Sequence, residues 1–274
     1  MTRFFSGIGA IRNGGRTLAA ACLISSPAVA AECVSIDPPS SWSASAPAEP
    51  VAVLPAPAAI APLRLVIFRH AEKPLRDDGV MIEDGNLGGD ATRRLSQLPD
   101  RLLKAFGCPD MLVTANPAVK MLNRKTGKYF NYVRLLATIE PLSVRLNFPV
   151  WTPYGYDQTE ALARDLLGDK AFAASRDGKA RTIFIAWERN NIRALHDNLL
   201  RLGQLKTPAA GALTVDGETF RCEPPPKWEQ CDFDSIWLIQ IRDGALCLTH
   251  RNENLNTPAF LKRCRGAEST TDSP

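Results

Sequence analysis

The chain has 274 residues, 45% of them hydrophobic and 23% charged, with a formal charge of +4. This allows one sizeable domain with appendages. Arg3, Arg12 and Arg16 lie in residues 1–31, which hold no acid; subtracting these three charges leaves +1 for the remainder. So near-neutral a body gives no case for binding nucleic acid or an anionic membrane.

Residues 1–31 read as a secretory signal peptide. The arginines precede an apolar stretch from Thr17 to Ile24, and Ala28-Val29-Ala30-Ala31 offers small residues for cleavage after Ala30 or Ala31. The apolar stretch is shorter than the ~20 residues that span a bilayer, which argues against an uncleaved anchor. No stable membrane insertion is expected after cleavage, and the mature protein is expected in the periplasm or outside the cell. Cys22 leaves with the signal; Cys33, Cys108, Cys222, Cys231, Cys247 and Cys264 remain. An even number in an oxidising compartment favours disulfides. Proximity in sequence suggests pairing Cys222 with Cys231 and Cys247 with Cys264. No Cys-x-x-Cys occurs and the three histidines are far apart, so no metal site is expected.

Residues 32–62 form a Pro-, Ala- and Ser-rich linker, a composition unable to bury a core. The folded domain is expected over 63–267, with a frayed tail at 268–274. Within it, Leu65–Phe68 predicts a strand. Asp90–Phe106 predicts a helix, with Pro99 as a kink or break. Met111–Thr114 predicts a strand, Tyr129–Leu142 a helix limited by Pro141, and Val144–Leu146 a short strand. Gln158–Leu167 predicts a helix and Thr182–Trp187 a buried strand. Asn190–Leu202 follows as a helix ended by Gly203. Ile236–Ile241 and Ala245–Thr249 predict a hairpin turning at Asp243-Gly244. Strands alternating with helices imply an α/β three-layer sandwich with a mainly parallel central sheet. The final hairpin is expected to add an antiparallel edge.

Chemistry in such sheets gathers beyond the carboxyl ends of the strands. Arg69, His70 and Glu72 follow the first strand; Glu188, Arg189, Asn190 and Asn191 follow Thr182–Trp187. If the two strands are neighbours, these groups face one another, and Arg134 can approach from its helix. Three arginines around one histidine suit a phosphate dianion, because guanidinium forks match its oxygens. The same positive surroundings keep the imidazole neutral and nucleophilic.

Arg69-His70 on a buried strand resembles the signature of the histidine phosphatase superfamily, whose fold is phosphoglycerate mutase-like. Further segments are similar to elements of exported members: Gly85-Asn86-Leu87 with Gly89 and Arg93-Arg94-Leu95, Arg134 with Thr138, and Ile183 to Ile192. Asp232 to Trp237 and Glu253-Asn254-Leu255-Asn256 complete the set. The resemblance covers about residues 63–258. It implies that His70 attacks phosphorus and becomes a phosphohistidine, that Arg69 and Arg134 hold the phosphoryl oxygens, and that no cofactor is needed. The expected partner is a small phosphorylated substrate, a phosphomonoester or an envelope sugar phosphate. One position departs from the pattern. Arg189 stands where the family's second catalytic histidine falls; an arginine there keeps a phosphate-binding role but not a titratable one. Asp157 and Glu188 are the candidate acids for the leaving group. The residues leave open a working phosphatase, a pseudoenzyme that binds phosphorylated ligands, and an interaction domain without pocket chemistry. Gly-x-Ser-x-Gly, P-loop and dinucleotide-binding signatures are missing.

Overall fold

The computed structural model describes residues 33–34, 54–124, 126–168 and 179–271. The segment read as a signal peptide and most of the segment read as a linker lie outside these residues. Among them ten strands and five α-helices follow in chain order: β1 (Leu63–Arg69), α1 (Ala91–Phe106), β2 (Met111–Thr114), β3 (Lys120–Asn123), β4 (Lys128–Asn131), α2 (Arg134–Leu146), β5 (Val150–Trp151), α3 (Thr159–Gly168), β6 (Arg181–Trp187), α4 (Arg189–Gly203), β7 (Ala212–Val215), β8 (Glu218–Arg221), β9 (Ser235–Arg242), β10 (Ala245–Asn252) and α5 (Pro258–Thr271).

The central sheet has six strands in the order β10-β9-β1-β6-β2-β5. β1, β6, β2 and β5 pair in parallel, and β9 runs antiparallel to both β1 and β10. The architecture is therefore the α/β sandwich read from the sequence, with a mainly parallel sheet. Alternation along each strand sorts the core into two layers. Leu65, Ile67, Ile183 and Ile185 face α3 and α4, through Leu162, Leu166, Ile192 and Leu195. Val66, Phe68 and Phe184 face α1 and α2, through Leu98, Leu102, Ile139 and Leu142. Among the described residues no helix is long and apolar enough to cross a membrane.

Several boundaries differ from the sequence reading. α1 continues through Pro99. The region read as a helix from Tyr129 begins instead with strand β4, which pairs with β3. α2 starts at Arg134 and passes through Pro141, absorbing Val144–Leu146, which is not a strand. An interior proline costs a helix ~3 kcal/mol. Burying Ile139, Leu142 and Leu146 against the sheet offsets it, at ~1.5–3 kcal/mol each. α4 ends on Gln204 in the left-handed region, one residue past Gly203. The core reaches back into the linker: Ile60 is buried and Leu54 packs on the same layer. α5 extends to Thr271, into the stretch read as a frayed tail.

The disulfides are Cys33–Cys108, Cys222–Cys247 and Cys231–Cys264, which corrects both suggested pairings. Cys222 meets Cys247 because β8 lies against β10, a contact shown by Cys222 packing with Cys247, Phe220 and Val215. Cys231 reaches α5 and packs there with Phe233 and Phe260. All six cysteines are oxidised, as an oxidising compartment allows.

Candidate active site

β1 and β6 are neighbours, with Arg69 opposite Trp187. The backbone N–H of His70 continues the ladder to the Trp187 carbonyl at 3.3 Å. Residues 69–72 and 188–191 therefore emerge side by side at the same sheet edge, where ligands of such sheets bind.

Two aromatic rings assemble the site. The Arg69 guanidinium lies 3.7 Å from the centroid of Phe233, and the His70 ring meets the same Phe233 edge-on at 5.8 Å. On the other side His70 meets Tyr132 at 6.0 Å, and the Arg134 guanidinium is 5.2 Å from that ring. Thus Arg69 and Arg134, 65 positions apart in sequence, flank one imidazole. All three are buried: His70 and Arg69 are 1% exposed and Arg134 is fully enclosed.

The His70 ring is oriented. Nδ1 lies 2.7 Å from the Ala71 carbonyl, and a carbonyl accepts, so Nδ1 carries the proton. Nε2 then keeps its lone pair, and it has no hydrogen-bond partner among the described residues. Burial pushes the His70 pKa well below 6.5; Arg69, Arg134 and Lys73 push it further the same way. A neutral imidazole with an uncommitted Nε2 is the nucleophilic form.

The arginines are held yet keep donors to spare. Arg69 Nη1 donates to the Gln230 and Asp232 carbonyls, each at 2.7 Å, while its Nε has no partner among the described residues. Burial lowers the Arg69 pKa to about 9, with Arg189 next in effect, so it is protonated at neutral pH. Arg134 is the first residue of α2, and its N–H donates to the Gly85 carbonyl. Its Nε and Nη1 are buried without partners among the described residues. Thr138, one turn on, donates to the Arg134 carbonyl at 2.7 Å and accepts from the Ala71 N–H at 2.8 Å. One hydroxyl therefore locks α2 to the loop that carries His70. Buried unpartnered donors are costly, and the two arginines that carry them both act electrostatically on His70. Such an arrangement suits an anion with several acceptor oxygens.

Lys73 belongs to this site although the sequence reading passed over it. Its Nζ pairs with Glu83, whose other oxygen is 3.5 Å from Arg134 Nη2. Burial lowers the Lys73 pKa to about 8, and Glu83 partly opposes that shift. Its position three residues after His70 was the available signal.

The remaining expected residues are placed differently. Arg189 opens α4, is half-buried and acts electrostatically on Arg69. It also lines a cavity of about 850 Å³ that does not include His70 among its walls. Glu188 caps α4: Oε2 accepts from the backbone N–H groups of Asn190 and Asn191 and from Asn191 Nδ2. It was read as a candidate acid; its Oε2 serves the helix start, and its charge acts on Arg69 and Tyr132. Asp157 is exposed in the loop before α3. It acts electrostatically on Tyr156, which meets Tyr132 edge-on at 5.5 Å. Two rings, Tyr156 and Tyr132, therefore stand between Asp157 and His70.

Glu72 points away from the site. It clasps Arg94 through Nε at 3.1 Å and Nη2 at 2.8 Å. Arg94 also binds Asp234 at 2.9 Å, Asn256 at 2.8 Å, and Glu253. Burial alone lowers the Arg94 pKa, but the three carboxylates outweigh it and raise it further. Sequence segments 72, 94, 234 and 253–256 therefore meet in one buried cluster. That cluster fixes the chain on both sides of the site: Glu72 two residues after His70, and Asp234 two residues after the Asp232 carbonyl that holds Arg69.

No family model matches the chain, and no curated protein matches it in sequence. Among solved structures it is similar to phosphoglycerate mutase from Plasmodium falciparum, at 9% identity over 72% of this chain and 95% of that one, TM-score 0.38. It is also similar to the mycobacterial glucosyl-3-phosphoglycerate phosphatase, at 13% identity over 69% of this chain and 97% of that one, TM-score 0.35. Phosphoglycerate mutase from Bacillus anthracis is similar at 8% identity over 76% of this chain and 99% of that one, TM-score 0.39.

Proposed function

We propose that the chain is an exported phosphatase of the histidine phosphatase superfamily, hydrolysing a small phosphomonoester through a phosphohistidine on His70. The observation that carries this reading is the His70 ring: Nδ1 tied to the Ala71 carbonyl, Nε2 without a partner, and a buried arginine on either side. Nε2 attacks phosphorus in line, and the bond from phosphorus to the ester oxygen breaks. Asp157 delivers a proton to that leaving oxygen. Water, giving a proton back to the Asp157 carboxylate, then attacks the phosphohistidine; the N–P bond breaks, inorganic phosphate leaves and Nε2 regains its lone pair. Arg69 Nε with Arg134 Nε and Nη1 hold the phosphoryl oxygens and stabilise the charge in both steps. Glu188 acts as a positioning residue through the start of α4. The disulfides and the signal-like first 31 residues support an exported protein, in the periplasm or secreted.

One observation favours a second reading. Arg189 carries a permanent charge where the resemblance expects a histidine, so a pseudoenzyme that binds phosphorylated ligands is the competing account. Purified mature protein decides between them. The phosphatase account expects hydrolysis of a chromogenic phosphomonoester, lost in His70→Asn with the fold intact. Binding of phosphate without turnover of any phosphomonoester, and no gain of turnover in Arg189→His, would establish the pseudoenzyme.

A further inference from the structure

Beside the His70 site lies the cavity of about 850 Å³. One wall is the start of α4 with Arg189 and Asn190; the other is the loop with Pro225, Pro226 and Trp228; Trp237 also lines it. The loop is fixed at both ends by the Cys222–Cys247 and Cys231–Cys264 disulfides. Trp228 is oriented by its Nε1 donating to the Asp232 carbonyl at 3.0 Å. Its ring lies 5.5 Å from Trp237, tilted by 33°, so the two indoles form a continuous apolar wall. Trp237 is 1% exposed, and its Nε1 has no partner among the described residues.

The cations around this cavity are not equivalent. Arg193 is engaged by both oxygens of Asp197, and Lys227 pairs with Glu229 at 3.2 Å. Arg189 has no ion pair or hydrogen bond among the described residues, and it is the cation that acts on Arg69. The same loop carries the carbonyls of Glu229 and Gln230 that receive Arg69 Nη1. The cavity and the phosphoryl site therefore share a wall.

We infer that this cavity is the leaving-group subsite, and that it selects phosphorylated sugars carrying a second anionic group. This rests on the phosphatase reading of His70. The phosphoryl group to be cleaved lies between Arg69 and Arg134; the second anion meets Arg189, whose planar fork matches a phosphate or carboxylate. The apolar face of the sugar ring packs on the Trp228 and Pro225-Pro226 surface. Hydroxyl groups meet the Asn190 side chain and Trp237 Nε1. An acyclic substrate forgoes the ring contact, and a sugar with one phosphate forgoes Arg189.

Two measurements separate this subsite from the reaction. In the first, kcat/KM for glucose 1,6-bisphosphate is compared with glucose 6-phosphate and glycerol 3-phosphate. The bisphosphate is expected to be preferred by about tenfold or more. Arg189→Met should bring it level with the monophosphate, and Trp228→Ala should remove the advantage of the sugar over glycerol 3-phosphate. Equal use of all three, or preferences unmoved by either substitution, would overturn the subsite. So would a stronger preference for a nucleoside monophosphate, which would assign the wall to a base. In the second, indole fluorescence of His70→Asn is titrated with glucose 1,6-bisphosphate. A saturable change abolished by adding Arg189→Met supports the subsite even if the wild-type protein turns nothing over. Absence of any change in a protein that does hydrolyse phosphomonoesters overturns the subsite and leaves the phosphatase reading standing.

Discussion

Replacing Glu253 by Gln should stabilise the protein at neutral and alkaline pH, although it removes a charge that faces an arginine. Three carboxylates, Glu72, Asp234 and Glu253, surround the single guanidinium of Arg94 in the interior. One cation cannot offset three buried anions. Burial raises the Glu253 pKa to about 8 against an ordinary 4.5; Arg94 opposes the shift and Asp234 adds to it. The folded state therefore holds a proton on Glu253 that the unfolded state releases above pH 4.5. Where the folded state binds the extra proton, stability falls as pH rises. The loss begins near 4.5 and is complete above 8. At about 1.4 kcal/mol per pH unit, the interval from 4.5 to 8 corresponds to a ceiling of about 5 kcal/mol. Gln has the shape of the protonated acid and nothing to release. The assay is urea unfolding at pH 5, 6, 7 and 8 for both proteins, with the difference in free energy plotted against pH. Near pH 5 the two should be close. By pH 8 the Gln variant should be ahead by a few kcal/mol, the background titrations cancelling in the difference. A flat difference across this range, or a Gln variant that falls behind as pH rises, would refute the reasoning and leave all three carboxylates ionised.

Two further outcomes test the site itself. Arg134→Met should lower kcat by about 10²–10³-fold, the scale of losing a preorganised donor to the developing charge, while circular dichroism stays native; steady-state kinetics reads it. The acid limb of kcat/KM should fall below pH 6.5, because burial and the neighbouring cations depress the His70 pKa. The unfolded histidine still protonates near 6.5, so the stability contributed by neutral His70 begins to be lost as pH falls below that value and goes on falling until the depressed pKa of the folded state is passed. A pH–rate profile whose acid limb sits at or above 6.5 would contradict the buried cationic setting.

Much of the frame was legible because it is periodic. β1, β2 and β6 alternate between two helical layers, and Asp243-Gly244 marks a hairpin whose two turn residues both have positive φ, 51° and 74°. Asp216-Gly217 carries the same sign between β7 and β8, with φ of 52° and 83°. It went unread because only Val215 and Phe220 of those short strands are buried. α2 was misplaced because Tyr129 and Phe130 look helical by composition, whereas their backbone pairs with Leu122 and Met121. Of the site, Arg69 and His70 stand out by residue type at the end of a strand; Arg134 was suggested by its resemblance, with Thr138, to a family element and lay inside a helix expected to start at Tyr129. The Phe233 and Tyr132 rings that bracket them were not, nor was the engagement of Arg94 by residues 22 to 162 positions away. Such contacts leave no local pattern. Glu72, Glu188 and Arg189 look equivalent as charged residues after a strand. Only the fold distinguishes an internal ion partner, a helix cap and a cavity wall.

The most direct measurement is rapid-quench labelling with a phosphomonoester carrying radioactive phosphorus, followed by peptide mapping. The account predicts an acid-labile, alkali-stable phosphate on the peptide containing His70, appearing before inorganic phosphate is released and missing in His70→Asn. Turnover without a labelled intermediate, or label on any other residue, would contradict it.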